Sequence, residues 1–186
     1  MGVGARRDDA NAPIRPVEAD VSAIDPDWSR EHEARGEYAP GKRLLAALRS
    51  YQGARGPLAP LVRKLAELRH RLWSAVTSCD IPLDARIAGG LLLPHPSCIV
   101  VHPDAHVGPN CLLFQGVTIG TRAGLDGAPI LEGHVDVGAG AKILGPIRIG
   151  AHAKIGANAV VLCDVPSGAV AVGIPARVTV PRRASA

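Results

Sequence analysis

The chain has 186 residues, of which 47% are apolar but only 3% aromatic, with 21 glycines and 16 prolines. That length suits one core domain plus a modest extension, and a core so poor in aromatics has to be built from Val, Ile, Leu and Ala. The net charge of +4 and pI near 9.1 invite a nucleic-acid partner, but the basic residues are scattered and stacking residues are nearly absent, so we expect no nucleic acid and take a polyanionic small ligand as sufficient reason for the charge.

Residues 1–40 are rich in charge, Ala and Pro without periodicity, and are expected to be largely disordered or irregular, the first 20 or so in particular. The opening MGVGARRDDANAP lacks the apolar segment of a signal peptide, and no apolar run approaches the roughly 20 residues of a membrane span. A cytoplasmic protein without membrane contact is the expectation. A helical region follows over 41–79. Leu44, Leu45 and Leu48 mark a short helix, and Leu58, Leu61, Val62, Leu65, Leu68, Leu72 and Val76 mark a longer amphipathic one, with Pro57 and Pro60 tolerable at its first turn. That apolar stripe has to pack on the rest of the chain or on a neighbouring subunit.

From Asp80 to Pro166 the pattern changes. An aliphatic residue returns every sixth position at Leu131, Val137, Ile143, Ile149, Ile155 and Val161, with a small or β-branched residue four further on at Val135, Ala141, Ile147, Ala153, Ala159 and Val165. Ile81 and Ile87 begin the same beat, which resumes after a slip of two residues at Val101, Val107, Leu113 and Ile119. Neither a helix nor a hairpin has that period. It is the signature of a parallel β-helix, in which three short strands make one triangular coil and identical positions stack in the core. Roughly four coils are predicted over 80–166, with a C-terminal tail over 167–186. Gly108, Gly138, Gly150 and Gly156 follow their aliphatic partners at corners where a Cβ is costly. The segment 120–130, GTRAGLDGAPI, lacks the beat and is expected to project as a loop. Cys79, Cys98, Cys111 and Cys163 form neither a CxxC pair nor a metal-site spacing, and read as reduced thiols.

Four runs carry more than periodicity: DIPLDARIAGGLLLPHPSCIVVHPDAHVGPN, FQGVTIG, VGAGAKILGPIRIGAHAKIGANAVVLCDVP and VGIPARV. Through them the chain from about Tyr51 to Arg177 resembles the serine acetyltransferases, hexapeptide-repeat acyltransferases with a left-handed parallel β-helix. The fold class implied is all-β, with a short N-terminal α-helical region. The resemblance implies that His95, inside the two-residue slip between Pro94 and Pro96, is the catalytic base and that Asp80 is the carboxylate that orients it. Such a pair suits acetylation of an alcohol. A neutral imidazole accepts the hydroxyl proton near pH 7 as oxygen attacks the thioester of acetyl-CoA, and a carboxylate on the other ring nitrogen fixes the tautomer. Gly120-Thr121 occupies the place of the glycine pair whose amide stabilises the oxyanion. Acetyl-CoA is the implied co-substrate, with Gly120, Thr121, Ala139, Lys154, Ala157 and Arg177 as its contacts; Lys154 and Arg177 would answer phosphate charge. No metal is expected. His102, His106, His134 and His152 do not match the pattern of zinc-binding carbonic anhydrases of the same fold, and read as solvated corner residues.

The acceptor half departs from the family. Pro94 stands where an Asp precedes the catalytic His, and Gly127-Ala128 stands where the loop carries an Arg-His pair. Arg122 or Asp126 in that loop, or residues of the shortened N-terminal region, are the candidates to replace those contacts. L-serine is the implied acceptor, another small hydroxyl compound such as a sugar or modified amino acid the alternative, and a non-catalytic assembly module the third reading. The resemblance further implies a homotrimer, or a dimer of trimers.

Overall fold

The computed structural model describes residues 21–179; the expected disorder of the first 20 residues and the last seven residues of the tail, 180–186, lie outside the described residues. Three parallel sheets form the walls of a triangular prism. The first wall carries Val100–Val101, Thr118–Gly120, Lys142–Leu144 and Val160–Val161. The second carries Arg86–Ile87, His106–Val107, Ile130–Leu131 and Arg148–Ile149. The third carries Leu112–Leu113, Asp136–Val137, Lys154–Ile155 and Val170–Val172, closed by an antiparallel Arg177–Thr179.

The beat of six determines which residues face inward. Val101, Ile119, Ile143 and Val161 of the first wall are at most 2% exposed, and the small residues of the fourth offset, Ala105, Val117, Val135, Ala141, Ala153 and Ala159, are 0% exposed at the corners. Single-residue bridges of Asp80 to Val100, Leu92 to Leu112 and Val165 to Ile149 extend each wall to five levels, where the beat alone predicts roughly four. At those three places the end coils pair through one residue only. Stacking also continues past Pro166, since Val170 pairs with Lys154. The corner glycines are required by close approach: a Cβ at Gly138 would lie 2.6 Å from the Ala157 nitrogen of the next coil, and one at Gly108 2.5 Å from the Glu132 carbonyl carbon.

Two helices cap the top of the prism. α1 (Pro40–Gly53) buries Leu44, Leu45 and Leu48, as the sequence predicts, together with Ala47. α2 (Ala59–Thr77) turns a different face inward from the one its leucines suggest. Ala66 and Thr77 are buried and Trp73 packs on the core, while Leu58, Leu61, Val62, Leu65, Leu68, Leu72 and Val76 remain 41–68% exposed. Ala66, His70, Trp73 and Thr77 share one helical face at spacings of four, three and four. The leucine stripe therefore packs on nothing among the described residues.

Residues 21–39 are irregular apart from a 3-10 turn, Trp28–Glu31, yet they are held against the prism. Buried Asn110 accepts from the Asp27 amide at 2.8 Å and donates to the Ser22 and Asp25 carbonyls at 2.7 and 2.8 Å. Glu31, whose side chain is only 7% exposed, pairs with Arg49 of α1 at 2.9 Å, and Arg49 donates in turn to the Ile87 and Ala88 carbonyls at 2.6 and 2.7 Å. One charge network ties the strap, the helix and the first coil together.

Candidate functional site

The edge where the third wall turns into the first shows how His95 leaves the stack. At each lower level that turn contains one residue in the left-handed region: Gly116 at φ 69, Gly140 at φ 72 and Asn158 at φ 55. Cys98, at φ 53, is their counterpart in the top turn. The Gly116 amide bonds to the Ser97 carbonyl and the Gly140 amide to the Gln115 carbonyl, so Ser97, Gln115, Ala139 and Ala157 stack in one column. Leu92 pairs with Leu112, which leaves His95 and Pro96 as two residues without counterparts below. The slip in the sequence is thus an insertion at this edge. It expels the exposed imidazole of His95 from the stack, its ring centroid 6.2 Å from that of Phe114.

Asp80 begins the first wall beside that turn. Its amide bonds to the Ile99 carbonyl at 2.8 Å and its carbonyl accepts from Val101 at 2.9 Å, so the backbone is fixed and the carboxyl points outward, exposed. No hydrogen bond joins Asp80 to His95 among the described residues. The Asp80 carboxylate instead acts on His70 of α2, a residue the sequence reading passed over. Burial pushes the His70 imidazole below its ordinary value, with the Ile81 backbone and the Asp80 charge opposing, and its Nε2 is shielded from solvent without a hydrogen-bond partner. No sequence signal marked His70, because the leucines of α2 point to another face of the helix.

The remaining candidates divide between two edges. Ala139 and Ala157 lie in the column headed by Ser97, beside which His95 projects, two and three levels below Ser97, about 10 to 15 Å at 4.8 Å per level. Lys154 and Arg177 stand on the adjoining third wall, where Lys154 lies 3.7 Å from Asp136. Gly120 and Thr121 instead lie at the opposite edge of the first wall, where the excursion departs. The excursion is a compact tongue. Arg122 and Leu125 form a bridge, Thr121 through Gly127 are exposed, and the Gly145 amide bonds to the Gly120 carbonyl at 2.9 Å. Gly127 sits at φ 111 with its missing Cβ 3.0 Å from Pro146, a conformation and a space that suit glycine alone. Arg122, Asp126, Gly127 and Ala128 are therefore a full wall's width from Pro94 and His95. One chain does not bring the two groups together.

Two of the other histidines depart from the expected solvated corners, His134 by its burial and His106 by its place in a strand. His134 is 5% exposed and its Nδ1 lies 2.7 Å from Nδ1 of His152, the two rings edge to face in the stacked column of the second-to-third edge. The coil below covers it, because a corner residue at φ 54 directs its side chain along the prism. His102 is half-buried beside Asp104, and His106 lies within a strand. Among the described residues no cluster of three or more His, Cys, Asp and Glu is placed to hold a metal, and no helix is long and apolar enough to cross a membrane. All four cysteines are free, and burial pushes the Cys111 thiol up to about 12, which makes it an unreactive part of the core.

Comparison with known proteins places this geometry. No family model matches the chain. The serine acetyltransferase of Helicobacter pylori is 37% identical over 115 residues, which cover 61% of this chain and 67% of that protein. The chain belongs to the serine acetyltransferase family. The enzyme of Synechococcus elongatus is 40% identical over 121 residues, 64% of this chain and 48% of its own. This family member thus spans about half the length of the first relatives it matches, 48% and 52%. Among solved structures, soybean serine acetyltransferase complexed with serine aligns with TM-score 0.65 at 37% identity, covering 76% of this chain and 58% of that one. A serine acetyltransferase in complex with CoA aligns with TM-score 0.64 at 34% identity over 76% and 57%. The fold is accordingly the family's left-handed hexapeptide β-helix.

Proposed function

We propose that this protein is a serine O-acetyltransferase that moves acetyl from acetyl-CoA to the hydroxyl of L-serine, a step that feeds cysteine synthesis. The observation that carries the reading is the two-residue insertion that places an exposed His95 beside the head of a column of small residues, Ala139 and Ala157, on one edge of the prism. In the reaction, an imidazole nitrogen of His95 takes the proton from the serine hydroxyl as its oxygen bonds to the thioester carbon. The carbonyl oxygen becomes an oxyanion, for which an amide of the Gly120-Thr121 pair is the donor. The carbon–sulfur bond then breaks, and the imidazolium returns its proton to the departing CoA thiolate. Asp80 sets the orientation of His95 once the site is assembled.

The residues named for one reaction lie on opposite edges of one wall, so the site is made between subunits: the His95 edge of one protomer against the Gly120-Thr121 edge of the next. A homotrimer is the smallest closed assembly that repeats such a contact head to tail around a three-sided prism. The exposed leucine stripe of α2 supports further burial between subunits, within the trimer or between two trimers. Lys154 and Arg177 supply positive charge on the wall beside the small-residue column, suited to the phosphates of acetyl-CoA. A reducing, cytoplasmic setting accords with exposed free thiols at Cys98 and Cys163. Thiol release from acetyl-CoA, followed with L-serine, homoserine and simple sugars as acceptors, tests the reading. Release with L-serine supports it. Release with a sugar alone would transfer the same chemistry to another acceptor, and release with none would end it.

A further inference from the structure

The altered acceptor half leaves a question of charge: with Gly127-Ala128 where the family has Arg-His, what would hold an acceptor carboxylate? A cavity of about 340 Å³ lies on the turn that bears His95, its lining including Arg30, Glu37, Tyr38, Lys42, Pro94 and Pro96. Its floor is the Pro94–Pro96 segment and its roof is the strap together with the start of α1. The charges around it are unequal. Lys42 is occupied by Glu37, its Nζ 3.1 Å from both carboxylate oxygens; Arg43 is occupied by Glu33 and Arg49 by Glu31. Arg30 has no such partner among the described residues. Its Nε is shielded from solvent and meets no hydrogen-bond acceptor, and the Asp27 carboxylate, though near enough to feel its charge, is committed to Ser29 at 2.6 and 3.0 Å.

A shielded guanidinium nitrogen without an acceptor is costly unless a ligand supplies one. The guanidinium has a fork geometry that matches a carboxylate, and Leu93, Pro94 and Pro96 give the cavity an apolar side. The first turn of α1, which no side chain caps, adds to the same field. We propose that Arg30 binds the carboxylate of the acceptor, supplying from the N-terminal strap the anion contact that Gly127-Ala128 cannot make. Because Pro94 lines the cavity and precedes His95 in the same turn, an acceptor anchored there by its carboxylate has its hydroxyl at the rim from which the imidazole projects. The substrate class that follows is a small hydroxy acid, not a neutral sugar.

This rests on the acetyl-transfer reading, and its test separates the two. Thiol release is measured for wild type, Arg30→Gln and Arg30→Lys with L-serine and with its neutral relatives serinamide and serinol. L-serine binding is measured in parallel by calorimetry, without acetyl-CoA. Wild type should prefer L-serine by roughly 10- to 100-fold in kcat/KM, the worth of a charge-assisted bond pair. Arg30→Gln should erase that preference through KM, with the KM for acetyl-CoA and the melting temperature of the variant close to wild type. Arg30→Lys should restore part of it, a point charge lacking the fork. Equal use of L-serine and serinamide by wild type, or an undiminished preference in Arg30→Gln, would overturn the assignment. Turnover with none of the three acceptors would overturn acetyl transfer instead, and the carboxylate site would then stand on calorimetry: serine heat in wild type that vanishes in Arg30→Gln supports it, and no heat in wild type refutes it.

Discussion

Placing charge on the outer stripe of α2 isolates the question of assembly, because none of the described residues packs on that stripe. Leu65 and Leu68 are 57% and 66% exposed, so more than half of each side chain is still available for burial. A fully buried leucine is worth about 1.5–3 kcal/mol relative to an exposed one, so each of these would contribute about 1–2 kcal/mol at an interface. Replacing both with Glu removes about 2–4 kcal/mol and adds the cost of desolvating two carboxylates, which makes about 4 kcal/mol or more per contact a conservative figure. That corresponds to a weakening of roughly 1,000-fold in the dissociation constant. Light scattering over a dilution series should find a multiple of three chains of 19.3 kDa for wild type, and smaller species for Leu65→Glu/Leu68→Glu at the same concentration. Circular dichroism should remain that of wild type, since Ala66, Trp73 and Thr77 hold α2 in place. An unchanged mass for the double variant would refute a role of the stripe in assembly, and a wild-type monomer with full activity would refute the intersubunit site.

Gly138→Ala would press a methyl group against the Ala157 nitrogen of the next coil, and thermal melting should reveal a loss of about 1–3 kcal/mol, whereas Gly53→Ala, with open space around it, should not lower stability. Arg49→Ala strands the nearly buried Glu31 and two backbone carbonyls, and denaturant titration should register a loss of about 2–4 kcal/mol; no loss would mean that the strap network is decorative. His70 has a folded-state value below its ordinary 6.5, so the unfolded chain binds its proton more readily. Stability from this group is therefore fully present above about pH 6.5 and declines as pH falls below it. The low-set Glu132 adds a second decline beginning below its ordinary 4.5. Melting curves of His70→Gln between pH 7.5 and 5.5 should be flatter than those of wild type, and equal slopes would contradict this.

The prism was legible because every coil repeats the same inward positions, so that Leu131 to Val161 report one geometric fact many times over. The stacking of Val170 and Ala171 beyond Pro166 was not, because the six-residue beat does not run on to them. The position of His95 could be read from the slip in the beat. The environment of Asp80 could not, because His70 reaches it from a helix whose leucines drew attention to the opposite face. His134 was expected in solvent, and only the stacking of φ-positive corners explains its burial. The strap was also silent: Asn110 gathers Ser22, Asp25 and Asp27 from 83 to 88 residues away, a separation at which no local pattern survives. The division of the candidate site between two edges has a similar cause, since a period seen in one chain carries no record of which edge meets a neighbour.

The most direct measurement is steady-state thiol release from acetyl-CoA with L-serine for wild type, His95→Ala and Asp80→Asn, with His106→Ala and His152→Ala as comparisons. His95→Ala should lose roughly 10²- to 10⁴-fold in kcat, the usual contribution of a general base, while acetyl-CoA binding persists in the column below. Asp80→Asn should lose less, and the two comparison variants should stay close to wild type. Wild-type turnover by His95→Ala would contradict the mechanism, leave the β-helix standing and send the search for the base to the other histidines.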